Sequence, residues 1–290
     1  MAGRVEGKVA FVTGAGRGQG RSHAVRLAEE GADIIAVDIC RDFATVDYPM
    51  SSSDDLKETV ALVEALDRRI VAVEADVRER AQLIAAVEQG IAQLGHLDVV
   101  VAQAGIAPMK GEPAVQAWMD GVDTLLLGVI NAVHASLPHL EEGASIIATA
   151  SAAVAMTGAG LGAAGSVGQD PGGASYQYAK KAVCEFVHEL ARNLGPRGIR
   201  ANAVHPTNCN TPMLQSPPMY RAFRPDLENP TREDAEPAFY VQQLMPVPYV
   251  EPRDISNMVL YLASEEARYV TGMQMRVDAG SYLKFQDYHV

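Results

Sequence analysis

The sequence predicts an α/β fold: one domain in which a seven-stranded parallel sheet carries helices on both faces. Three observations lead there. Short apolar runs alternate with longer stretches of helical period along the 290 residues. Several of those runs are apolar at every position, as strands covered on both sides must be. A glycine-rich turn joins the first run to the first helix. With 48% hydrophobic and 21% charged residues, the chain also has the balance and length to bury a large core.

In order, the runs read as strands at Lys8–Thr13, Asp33–Asp38, Arg69–Ala75, Asp98–Gln103, Ser145–Ala150, Ile199–Val204 and Met273–Val277. Helical patterns fill 18–31, 54–68, 79–95, 114–139, 176–194 and 252–266, and strand–helix alternation implies right-handed crossovers. Three segments break the rhythm and organise the domain, taken as residues 1–290. An insert near 39–53 is polar and loop-like. The stretch 157–174 is rich in glycine, either a rim of the substrate cleft or a solvent loop. The segment near 205–252 holds ten of the sixteen prolines. It follows a strand's C-terminal end, where ligands of such sheets bind, and it reads as a substrate lid. Its Met213, Met219, Tyr220, Phe223, Phe239, Tyr240 and Met245 suit an apolar lid or a subunit contact.

Charge and composition exclude several classes. A net charge of −12 disfavours nucleic acid. No stretch is apolar enough for a transmembrane helix, and the first residues do not read as a signal peptide, so the expectation is a cytoplasmic protein with no membrane partner. Three cysteines without paired spacing read as reduced thiols. The histidines have no metal-ligand spacing, so no metal is expected.

The segment 8–20, KVAFVTGAGRGQG, carries chemistry. Glycines let the backbone approach a pyrophosphate, and the helix start offers free N–H groups and partial positive charge. Asp38 ends the next strand, completing a Rossmann-type unit. A carboxylate there accepts hydrogen bonds from both adenosine ribose hydroxyls and repels a 2′-phosphate, which favours NAD over NADP. Arg41 reads as a solvated charge, with phosphate pairing the alternative.

Tyr176 and Lys180 form a YxxxK pair on one helix face. A free phenol, with a pKa of about 10, is too weak a base at neutral pH, and a neighbouring ammonium lowers that value. Ser151, just past the fifth strand, could hold a substrate oxygen beside Tyr176. The helical spacing turns Tyr178 elsewhere.

Together these parts resemble the short-chain dehydrogenase/reductase family. The matching pieces are TGAGRGQG at 13–20, Asp38, Asp76-Val77, AQAG at 102–105, Ser151, Tyr176 with Lys180, IRANAVHPTNCNTPM at 199–213 and VDAG at 277–280. The segment 17–40, the insert through residue 79, and HPTNCNTP at 205–212 are similar to the mycofactocin-associated, carveol-dehydrogenase-like subfamily. The resemblance implies an NAD-dependent enzyme that interconverts a small, largely apolar secondary alcohol and its ketone. Tyr176 would be acid and base, Lys180 would tune it and bond the nicotinamide ribose, and Ser151 would orient the substrate oxygen. Gly14, Arg17, Gly18, Gln19 and Gly20 would surround the pyrophosphate, and Asp38 would hold the adenosine ribose. Asp76 and Val77 would flank adenine, with Gln103 and Gly105 on the cofactor wall. Pro206, Cys209 (through its backbone) and Thr211 would position the carboxamide. The subfamily further implies NAD that does not exchange and an external, mycofactocin-like electron acceptor, with the insert either folded over the adenosine end or an inert surface loop. Homotetramers built on the long central helix and the Tyr176 helix are also implied.

Two departures stand out. Gln103 replaces the asparagine usual in the family's NAG turn. Counting back from Gly128, Leu125 occupies the place of an asparagine that normally holds a relay water, and leucine cannot hydrogen-bond. Asn131 is about 240° further round a regular helix and would not face the same site. These departures leave a second reading: a catalytically weak NAD-binding protein with a redox-sensing or structural role.

Overall fold

The computed structural model describes residues 3–109, 113–155 and 171–286. Among them, β1 (Val9–Thr13), β2 (Asp33–Asp38), β3 (Ile70–Glu74), β4 (Val99–Ala102), β5 (Ser145–Thr149), β6 (Arg200–Pro206) and β7 (Gln274–Val277) form one sheet. Its order is β3-β2-β1-β4-β5-β6-β7, and every neighbouring pair is parallel. The seven expected strands are all present, within two residues at each end. On both sides of β1 the register is tight, with Ala10 opposite Ile34 and Val99.

Two apolar layers explain why the central strands are apolar throughout. On one face Phe11, Val100 and Ile146 pack under α3 (Arg80–Leu94), α5 (Gly128–Ser136) and α6 (Pro171–Leu194). On the other, Val12, Ile34 and Ile147 pack under α1 (Gly18–Glu29), α2 (Ser53–Glu64) and α9 (Pro252–Ala263). The chain reverses direction across the sheet between β1 and β4, which opens a crevice at the strands' C-terminal ends, the usual ligand position in such folds.

The long central helix is interrupted. After α4 (Ala114–Val122) comes a π-helical turn, Asp123–Leu127, before α5. By length and composition the segment Ala114–His139 could cross a membrane, yet 56% of its most apolar window is buried inside the fold. Its apolar character is that of a core helix.

Two sequence expectations need correction. Helix α6 begins at Pro171, so the last four residues of the glycine-rich stretch 157–174 are helical rather than loop. Proline at a first helical position has its φ preset and needs no N–H partner. A Cβ on Gly172 would lie 1.8 Å from the Pro108 carbonyl oxygen, so close packing demands glycine there. Residues 157–170, expected as a cleft rim or solvent loop, lie outside the described residues. The proline-rich segment is also more regular than expected, with α7 (Pro217–Phe223) and α8 (Arg232–Gln242) inside it. A short α10 (Ser281–Gln286) follows β7.

Candidate active site

The glycine turn between β1 and α1 is shaped as a cradle. Gly14 has φ +69°, and a Cβ there would come within 2.8 Å of the Ala104 Cα. A Cβ on Gly20 would strike the Gly14 carbonyl oxygen at 2.0 Å. Helix α1 starts with no side-chain cap and no acidic residue in its first turn. Its first N–H groups therefore lack helical partners and face the crevice with the positive end of the helix, a site suited to a pyrophosphate.

At the end of β2, Asp38 is 6% exposed. One carboxylate oxygen accepts from the Gly16 N–H at 2.8 Å, and the other accepts from the Cys40 N–H at 3.2 Å and from the Ser51 hydroxyl. Further along, burial opposes ionisation of Asp76, but hydrogen bonds from the Arg78 side chain and backbone outweigh it. They hold its carboxyl below the usual range. Arg41 is a solvent-exposed charge, as expected, and also pairs with Asp76 at 2.8 Å.

The insert is a strap across this crevice. Phe43, Val46 and Tyr48 are buried with Ile106 and Ala107, and Met213 and Met219 pack against them from the proline-rich segment. Tyr48 accepts a hydrogen bond from the Ala107 N–H at 2.9 Å, and Arg17 donates to the Pro49 carbonyl at 2.5 Å. The Arg78 guanidinium lies 4.4 Å from the Phe43 ring centre. Thr45 donates to Asp120 at 2.6 Å, and Asp47 meets Arg221 of α7 at 2.9 Å. The strap thus touches the glycine turn, the central helix and α7.

Tyr176, Lys180 and Ser151 meet at the C-terminal edge of β5. Tyr176 is half-buried, and the Ser151 hydroxyl accepts from the Ala153 N–H at 3.1 Å. Lys180, 4% exposed, donates to the Thr149 carbonyl at 2.5 Å, and its ammonium lies 5.9 Å from the centre of the Tyr176 ring. Burial lowers the Lys180 pKa to about 8, so at neutral pH it keeps its proton. Burial raises the Tyr176 phenol above its ordinary value, and the Ser151 side chain opposes the rise. Desolvation therefore outweighs the lowering that the sequence suggests. Ser151 is braced from behind, where His205 Nδ1 lies 3.0 Å from its carbonyl oxygen.

The two departures have structural roles. The Gln103 amide oxygen accepts from Thr149 at 2.5 Å and lies 3.2 Å from His23 Nε2. His23 Nδ1 in turn lies 2.8 Å from the Ser256 hydroxyl. Asparagine is one methylene shorter, so Gln103 serves to reach α1. Leu125 is 0% exposed, and a Cβ on Gly105 would sit 3.0 Å from its Cδ2. Asn131 donates to the carbonyls of Val77, at 3.0 Å, and Arg78, at 3.2 Å. It secures the β3–α3 turn from behind.

Of the expected cofactor residues, one cleft is lined by Gly14, Arg17, Gly18, Gln19, Gly20, Asp38, Asp76, Val77, Gln103, Gly105 and Thr211. Ser151, Tyr176 and Lys180 form a separate cluster, and Pro206 and Cys209 do not line that cleft. Cys209 bridges to Val250, while Thr211 donates to the Cys209 carbonyl at 3.3 Å. Sequence reasoning did not single out Phe43, Tyr48, Ser51, Ile106 or Thr124, which also line the cleft. An NAD molecule fits this donor set: free N–H groups at the turn, a carboxylate at the end of β2, and a buried Gln19 amide oxygen without a partner among the described residues.

Known proteins match the chain over nearly its whole length. The family model described as enoyl-(acyl carrier protein) reductase matches residues 14–282. A short-chain type dehydrogenase/reductase of Mycolicibacterium smegmatis is 51% identical, with 98% of this chain and 100% of that protein covered. A (−)-trans-carveol dehydrogenase of Rhodococcus erythropolis is 44% identical, covering 97% and 99%. Among solved structures, carveol dehydrogenase from Mycobacterium avium in complex with NAD superposes with a TM-score of 0.88 at 46% identity, covering 97% and 99%. A short-chain dehydrogenase from Mycobacterium paratuberculosis bound to NAD gives a TM-score of 0.83 at 40% identity, covering 97% and 100%.

Proposed function

The chain belongs to the short-chain dehydrogenase/reductase family, and from that premise we propose that it is an NAD-dependent oxidoreductase acting on CH–OH groups. Its substrate is a small, largely apolar secondary alcohol or the matching ketone. The observation that carries the proposal is the buried Lys180 ammonium beneath the Tyr176 ring, with the buried Ser151 just past the end of β5.

When bound, NAD supplies the carbon that accepts or returns the hydride. In oxidation Tyr176 takes the hydroxyl proton as the carbonyl forms, and in reduction it gives that proton back. Lys180 favours the phenolate by its charge. Ser151 orients the substrate oxygen by hydrogen bonding. Asp38 disfavours a 2′-phosphate through like charge. Ile106 and Met213 give the cleft apolar lining, which supports an apolar, terpenoid-like substrate.

The strap supports a finer reading, in which 39–53 folds over the adenosine end and the segment near 205–252 acts as the lid. NAD then stays on the enzyme through many turnovers, and electrons leave to an external acceptor, mycofactocin-like in chemistry. The protein assembles as a homotetramer through α4 and α6, where Val115, Met119 and Tyr178 are exposed large side chains. Its three free cysteines suit a reducing, cytoplasmic setting.

The test is nucleotide content after purification without added cofactor. About one NAD per chain, retained through gel filtration and released by denaturation, supports the captive reading. Nucleotide-free protein that binds and releases NAD freely removes the captive reading and leaves an ordinary exchanging dehydrogenase. Protein that takes up no NAD overturns the proposal.

A further inference from the structure

A buried hydroxyl in the π-helical turn has no place in the mechanism above. Thr124 is 4% exposed and lines the cofactor cleft, and its Oγ1 has no hydrogen-bond partner among the described residues. In a regular helix a threonine hydroxyl commonly bonds a carbonyl one turn back. Here the turn is widened: the Gly128 N–H bonds the carbonyl of Asp123, five residues back. Both features cost stability. An unsatisfied buried hydroxyl is destabilising, and π-turns are rare and concentrate at functional sites. The turn also abuts the base-side wall of the cleft, since a Cβ on Gly128 would meet Val77 Cγ2 at 2.6 Å. Leu125, next in sequence, is packed over Gly105 and offers no polar atom.

Resting on the NAD-dependent reading, we propose that Thr124 is a cofactor-binding residue, its hydroxyl hydrogen-bonding the adenosine half of NAD. The π-turn sets this residue in the cleft wall. Its hydroxyl lowers the stability of the nucleotide-free protein and raises its affinity for NAD, so removing the hydroxyl moves the two quantities in opposite directions. A side chain with only a packing role would not do this.

The experiment uses the full chain stripped of nucleotide, with NAD as the titrant and no substrate. Wild-type binding is measured first and tests the NAD reading by itself. Thr124→Val, nearly isosteric, is expected to weaken NAD binding about three- to tenfold, the worth of one net hydrogen bond. Its nucleotide-free thermal midpoint is expected to equal or exceed the parent's. Thr124→Ser keeps the hydroxyl and is expected to bind NAD within about twofold of the parent. If Thr124→Val does not fold, Thr124→Ala set against Thr124→Ser reads the same hydroxyl. Equal NAD affinity in the parent and the hydroxyl-free variant overturns the proposal, as does an equal loss in the serine and hydroxyl-free variants.

Discussion

Acid should destabilise this protein through one buried histidine. His23 sits on α1 at 0% exposure, between Gln103 and Ser256. Burial lowers its pKa from 6.5 to about 4, against a smaller upward pull from Gln103. The native state thus holds the neutral ring, while the unfolded chain binds a proton below about 6.5. Between these values the unfolded state carries more protons, so stability falls as pH falls. Linkage puts the loss at about 2 kcal/mol by pH 5 and about 3 kcal/mol by pH 4, with almost none above pH 7.5. The perturbation is His23→Gln, which keeps an amide able to bond Gln103 but does not titrate there. Denaturant unfolding of both proteins at pH 7.5 and pH 5 is the assay. The variant is expected to be less stable than the parent at pH 7.5 and to close about 2 kcal/mol of that gap at pH 5. Parallel losses in the two proteins would refute the reasoning, because His23 would then titrate alike in both states.

Other consequences follow from the packing. Leu125→Asn places an amide in a fully buried apolar site beside Gly105. It should cost about 2–4 kcal/mol, read as a lower denaturation midpoint, with no gain in turnover. Phe43→Ala removes the strap's buried ring under Arg78. It is expected to speed NAD dissociation about tenfold or more, measured by displacement, if even ~1.4 kcal/mol of its packing holds the strap closed. An unchanged dissociation rate would show that the strap does not retain the nucleotide.

The inner strands of the sheet were legible because they repeat one physical rule: apolar on both faces, bounded by glycine or polar turns. Val9–Thr13 and Ser145–Thr149 are buried at every position. The strap was not legible as a wall, because Phe43, Val46 and Tyr48 are spaced without a helical or strand period and their burial depends on distant partners. Helix α8 did carry a signal. Thr231 accepts from the Asp234 N–H at 3.3 Å while the Asp234 carboxylate accepts from the Thr231 N–H at 2.9 Å, a capping box, but Pro237 three residues on disguises it. In the site, Tyr176, Lys180 and Ser151 were readable from spacing and resemblance. The π-turn and Thr124 were not, because no residue pattern announces one widened turn.

Hydride transfer is read by anaerobic mixing of the NAD-loaded protein with a panel of cyclic secondary alcohols, with bound reduced nicotinamide followed by its absorbance. The parent is expected to reduce its nicotinamide with at least one such alcohol, and Tyr176→Phe, still holding NAD, to do so at least about a hundredfold more slowly. Reduction by Tyr176→Phe at the parent's rate would remove Tyr176 from the proton transfer. Nicotinamide that stays oxidised in the parent across the panel would contradict hydride transfer from a secondary alcohol.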